Sequence, residues 1–246
     1  MANKTIKKFI IEYARDRHYF HINDLKRYFT EKGIKFEEDT LKKYLYLLKK
    51  NEVIYSAGRG WYSNIQIEFE LNIEPTEKIT KLLIEKFSLL EFSCWSTEQL
   101  KGFFHHLPTQ FVIFIYTDKD FLQSVKDFLI ENDYNVYLNP HKIEAEKFVD
   151  LKTKTIILRP SVSSRISKVS KEKNLTKIEK ILVDLFIEMK KINLIDQEEY
   201  IKIISNIVLN YRINMAEILD YADRREAKER VWHIIKNCIE LTNASF

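Results

Sequence analysis

Leucines at positions 41, 45 and 48 recur at i, i+4 and i+7 in a stretch opening with Glu37-Glu38-Asp39 and closing with Lys49-Lys50. That spacing places the three leucines, with Tyr44 beside them, on one face of a helix and turns Lys42, Lys43, Tyr46 and Lys49 away. After Asn51 the period changes. Val53-Ile54-Tyr55 and Trp61-Tyr62 are strand-forming pieces, and Ala57-Gly58-Arg59-Gly60 between them is a turn with a cation at its tip. Upstream, Ile6, Phe9, Ile10 and Tyr13 line one side of a helix expected over Thr5 to Arg17. Asn23 is a suitable cap for a second helix, Asp24 to Lys32, which Gly33 would close. Helix, helix, turn, helix, hairpin is the order of a winged helix-turn-helix, in which the third helix enters the major groove of DNA and the hairpin tip meets the neighbouring backbone or minor groove.

From Ile65 the pattern becomes a strict alternation: Ile65, Ile67, Phe69, Leu71 and Ile73 against Gln66, Glu68, Glu70 and Asn72. This predicts a half-buried strand that either extends the wing or, given its acidic outward side, opens a second domain. Beyond it, helices are expected from Pro75-Thr76 to Phe87, over Ser96 to Phe104, and from Asp118 to Ile130. Strands are expected over Leu89 to Cys94, Phe111 to Tyr116, Tyr134 to Leu138 and Thr155 to Leu158. The last third is helical in pattern, starting at Thr176, after Asp196, and from Asn214 to the end. The fold class that follows is α+β: an N-terminal winged helix-turn-helix over residues 1–64, then a mixed α/β domain with a helical C-terminal third over 65–246.

Charge sharpens this division. The whole chain has 40 basic and 36 acidic residues, but residues 1–64 hold 14 against 8 and the remainder 26 against 28. Positive charge is concentrated where phosphate contact would require it. Within the helix and hairpin, Thr40, Lys43 and Tyr46 are the candidates for base edges, and Lys42, Lys49 and Arg59 for phosphate. The expected partner is double-stranded DNA.

Candidate chemistry is sparse. Four glycines (Gly33, Gly58, Gly60 and Gly102) leave no room for a phosphate-cradling GxxxxGKS or GxGxxG loop. No cofactor and no metal is expected: His105 and His106 are adjacent and HExxH is absent. Cys94, His105 and Asp118 could be imagined as nucleophile, base and orienter, but Cys94 sits in an apolar strand beside Trp95 and reads as a core thiol. Asp150-x-Lys152 precedes its strand instead of lying within it, as a nuclease carboxylate-lysine pair would. Arg15 and His21 match only a loose Arg-x5-His spacing. Glu179, Asp184 and the Asp223-Arg224-Arg225-Glu226 cluster read as solvated faces, or as rim contacts around an apolar patch. Two distant cysteines, no apolar run near roughly 18 residues and no apolar leader core predict a cytoplasmic protein without a membrane partner.

Four segments in succession carry a resemblance. The pattern ending in Ala57-Gly58-Arg59-Gly60-Trp61-Tyr62, the strand with Cys94-Trp95-Ser96-Thr97, the helix Ile178-Glu179-Lys180-Ile181-Leu182-Val183-Asp184-Leu185, and Tyr221-Ala222-Asp223-Arg224-Arg225 together resemble the AbiEi-like antitoxins of type IV toxin-antitoxin systems. The resemblance implies a winged helix-turn-helix that represses its own promoter. It also implies a C-terminal domain that counteracts a nucleotidyltransferase-like toxin, directly or indirectly, in systems associated with abortive phage infection. It transfers no catalytic residue. The alternatives are a stand-alone winged-helix regulator whose α/β domain senses a ligand and, third, a nuclease or other enzyme within that domain.

Overall fold

The computed structural model describes residues 2–108, 110–141, 155–161 and 176–243. The chain is mixed α+β and divides into two units, one of residues 1–69 with 204–246 and one of residues 70–203. Packing therefore departs from the linear boundary expected at residue 64. The last 43 residues belong with the N-terminal segment, and the division falls inside a helix.

In the first unit the element order is α1 (Ala2–Arg15), β1 (Tyr19–His21), α2 (Ile22–Glu31), α3 (Glu38–Lys50), β2 (Tyr55–Ser56) and β3 (Trp61–Ser63). The three short strands form an antiparallel sheet in the order β1-β3-β2, an arrangement consistent with the winged order read from the sequence. Ile6, Ile10 and Tyr13 of α1, Leu25 and Phe29 of α2, and the α3 leucines share one core with Phe20 and Ile54. Burying that stripe is what holds three short helices, each marginal alone, in place. His21, not Asn23, caps α2, its Nδ1 accepting the Asn23 N–H, and Gly33 past the end takes the left-handed φ of +65°.

The alternation from Ile65 to Ile73 does not form a strand. A strand needs a neighbour for its backbone groups, and here the side chain and backbone of one arginine stand in for it. Arg212 donates from Nη1 to the Ile65 and Gln66 carbonyls and from its N–H to the Ile67 carbonyl, and it accepts the Phe69 N–H. The rest of this unit is the end of α7 (Gln197–Asn210), α8 (Met215–Arg224) and α9 (Lys228–Asn243). The single closing helix suggested by the sequence is two, parted where Glu226 adopts φ +54°.

The second unit is built on a four-stranded sheet, β4 (Phe92–Ser96), β5 (Val112–Thr117), β6 (Asn135–Leu138) and β7 (Thr155–Pro160), in the order β4-β5-β7-β6. β4 runs antiparallel to β5, whereas β7 is parallel to both its neighbours. The central strands are buried on both sides, which explains their continuous apolar runs. One side carries Phe92, Cys94, Ile115, Ile156 and Leu158 against α4 (Glu74–Lys86) and α5 (Leu122–Glu131). The segment expected as a helix at Ser96 is a 3₁₀ helix throughout, Thr97–Phe103, held by a capping box of Ser96 and Gln99, and the one at Asp118 begins as a 3₁₀ turn, Lys119–Phe121.

On the opposite side, Arg159 of β7 meets Glu188 of α6 (Ile178–Ile192) in a buried, bidentate pair. Asn139 and the Pro140 carbonyl take the other guanidinium hydrogens, and Tyr116 donates to Glu188. Glu179 and Asp184, expected on solvated faces, are likewise buried, because α6 is covered around most of its circumference. Asp150 and Lys152 lie outside the described residues. No described helix is long and apolar enough to cross a membrane.

Candidate nucleic-acid interface

Helix α3 owes its orientation to Leu41, Leu45 and Leu48, none more than 1% exposed. With that face fixed, Lys42, Lys43, Tyr46, Lys49 and Lys50 are exposed, and Thr40 is half-buried at the edge. Tyr46 stands 61% exposed in their midst. Lys42 is partly committed, 3.9 Å from Glu38 and 3.8 Å from Asp39. Lys43 and Lys50 make no ion pair among the described residues, and the Lys49 ammonium lies 6.0 Å from the centre of the Tyr62 ring. Lys50 was not singled out from sequence; its place in the last turn, one residue beyond Lys49, is the signal that could have found it.

The first turn of α3 is acidic. Lys26 of α2 donates to the Glu38 carboxylate, and that hydrogen bond and charge, with Lys42 adding to them, hold the Glu38 carboxyl below its usual range. Glu37 and Asp39 remain as exposed negative charges at the helix start. The cationic surface of α3 is therefore its middle and C-terminal turns, and phosphates would be repelled from its first turn.

The wing is a tight corner. Ala57 donates to the Trp61 carbonyl at 3.0 Å and Trp61 to the Gly58 carbonyl at 3.1 Å, while Gly58 and Gly60 take φ of +105° and +76°. Side chains rarely adopt such angles, which accounts for two of the four glycines falling here. Arg59 between them is exposed and makes no ion pair among the described residues. The corner is not loose: a Cβ on Gly58 would overlap Asn214 and come within 2.7 Å of the Ala216 Cβ, and one on Gly60 would stand 2.6 Å from His21 Nε2. Asn214 is the cap of α8, so the wing rests on the start of that helix.

Further contacts bind the C-terminal segment to this sheet. The Tyr19 hydroxyl donates to the Tyr211 carbonyl at 2.6 Å and accepts the Ile213 N–H at 3.0 Å. The Arg212 guanidinium lies over the Tyr55 ring, and Trp61 meets Trp232 edge to face. None of these partners is legible in the sequence, since nothing local couples residues more than 150 positions apart.

The candidate nucleophile fares differently. Cys94 is wholly buried and burial pushes its thiol up to about 12, so no thiolate forms there near neutral pH. His105 and His106 sit in an exposed turn, their backbone N–H groups directed at Glu199.

Residues 40–241 match the family model described as a family of unknown function, DUF6577, and the chain belongs to that family. No curated protein matches it.

Proposed function

We propose that this member of the DUF6577 family is a regulator that binds double-stranded DNA, with α3 as the reading helix and the Gly58–Gly60 corner as the wing. The observation that carries the reading is the exposure of Lys43, Tyr46, Lys49 and Lys50 on the face of α3 opposite its buried leucines. Lysines on a helix are often only its wet side. Here they lie on the third helix of a helix-strand-helix-helix-hairpin unit, and that unit carries the chain's surplus of positive charge, 20 basic against 15 acidic residues over 1–69 and 204–246.

Lys43 and Tyr46, with Thr40 at the edge, are assigned to base edges; Lys42, Lys49 and Arg59 to phosphate. The acidic first turn keeps phosphate from the start of α3, so the phosphate contacts fall to its later turns while Thr40, uncharged, meets a base edge at the margin. An electrophoretic shift assay with the DNA upstream of the protein's own gene, against a scrambled duplex of equal length, tests this. Retarded upstream DNA that resists scrambled competitor supports the reading; no retardation of either at low salt refutes it.

The resemblance to AbiEi-like antitoxins extends the proposal. In that reading the DNA bound is the protein's own promoter, and the protein counteracts a nucleotidyltransferase-like toxin, by contact or indirectly. Expressing the neighbouring gene with and without this one separates that role from a stand-alone regulator: growth arrest relieved only by co-expression supports the antitoxin, and the absence of a toxic neighbour leaves the regulator.

A further inference from the structure

A groove of about 500 Å³ opens within the first unit, bounded by α1, α2, β3 and α9. Aromatic and charged side chains share its walls. Tyr13 of α1 packs 4.8 Å from Tyr28 of α2 and 5.5 Å from Phe20, ring centre to ring centre, and on the far side Trp61 and Trp232 meet at 5.5 Å. Its volume lies within the range of small-molecule sites.

The charges around the groove narrow the ligand. Arg27 is satisfied by Asp24 at 3.1 Å, and Lys236 by Glu240 at 3.5 Å. Two are left over, with opposite signs. The Arg17 guanidinium lies 3.9 Å over the Tyr13 ring and donates to the Tyr13 carbonyl, with no carboxylate in ion-pair reach among the described residues. Glu31, at the end of α2, makes no ion pair among them either. Arg17 is half-buried and Glu31 exposed, so a carboxylate on Arg17 would make the stronger contact and an ammonium on Glu31 the weaker one, and a zwitterion engages both.

We infer that this groove binds a small aromatic zwitterion, the class to which the aromatic amino acids belong, with its carboxylate on Arg17, its ammonium on Glu31 and its ring among Tyr13, Tyr28, Trp61 and Trp232. Charge-assisted hydrogen bonds at both ends and ring contacts between them are each established sources of affinity. None of its residues lies on the exposed face of α3; Trp61, which follows the Gly58–Gly60 corner, is where the groove borders the wing.

Calorimetric titration of the full chain tests it with four probes: L-phenylalanine, L-tryptophan, phenethylamine, which lacks the carboxylate, and 3-phenylpropionate, which lacks the ammonium. The expected result is binding of at least one amino acid, with phenethylamine, which loses the half-buried Arg17, weaker by about tenfold, and 3-phenylpropionate, which loses only the exposed Glu31, weaker by up to about fivefold. Glu31→Gln should erase the preference over 3-phenylpropionate, Arg17→Gln the preference over phenethylamine, and Trp232→Ala should weaken all binding. Circular dichroism establishes that each variant is folded. Binding of neither amino acid by the wild-type chain, equal affinity for all four probes, or unchanged affinity in a folded Trp232→Ala variant overturns the proposal.

Discussion

Asn214 and Gly58 share one small space: Asn214 Oδ1 accepts the Glu217 N–H to cap α8, and it occupies the volume that any side chain on Gly58 would need. The corner of the wing and the start of a helix 156 residues later are therefore fitted to each other. Arg59 projects from a corner that is held at its base.

Gly58→Ala should cost about 2 kcal/mol or more, since a φ of +105° is strained for alanine and the new methyl must displace the α8 cap. Gly33→Ala is the control. It has a positive φ but open space around it, and should cost about 1 kcal/mol. Urea denaturation followed by tryptophan fluorescence measures both; equal losses would mean that the Asn214 contact has no weight.

Arg159→Met should destabilise the second unit by roughly 3 to 5 kcal/mol, because Glu188 would be left charged and unpaired in a site it cannot leave. Replacing both, Arg159→Met with Glu188→Leu, should recover most of the loss. A double variant no better than the single one would show that the polar network as a whole, Tyr116 and Asn139 included, holds the sheet to α6.

Cys94 predicts a fall in stability at alkaline pH. Its folded thiol is pushed up to about 12, whereas an unfolded thiol ionises near 9. Between these values the unfolded chain has lost a proton that the folded chain keeps, so stability decreases as pH rises, by about 1.4 kcal/mol per pH unit from this group. Comparing urea midpoints from pH 7 to 10 for the wild type and Cys94→Ala checks it: the alanine variant should show the shallower decline. Native Cys94 should also stay unlabelled by a thiol reagent at pH 8 until the protein unfolds.

What could be read from the sequence was what is encoded locally. Leu41, Leu45 and Leu48 repeat with the helical period, and the structure buries all three; Gly58 and Gly60 mark a corner because backbone angle alone demands them. Tyr19–His21 escaped notice, since three residues are too few to show an alternation. Ile65 to Ile73 shows a perfect one and is no strand, because a strand is a property of two segments and this one lies beside Arg212 instead. No local pattern announces that the last two helices group with the N-terminal segment, that Tyr19 meets Tyr211 or that Trp61 meets Trp232. Glu188 carries no local mark of burial, since its partner Arg159 is on a strand 29 residues upstream. In the proposed interface the cationic face of α3 was legible, whereas the docking of the wing on α8 was not.

A grip of α3 and the wing on duplex DNA can be read from fluorescence anisotropy of upstream duplex across a series of salt concentrations. Binding by the wild type should weaken linearly with salt on a log-log plot. Arg59→Ala should lower the slope by about one and weaken all sequences alike, while Lys43→Ala should cost about 1 to 3 kcal/mol on the upstream sequence and narrow its advantage over scrambled DNA. Wild-type binding that is unchanged in both folded variants, or no binding at any salt concentration, would contradict it.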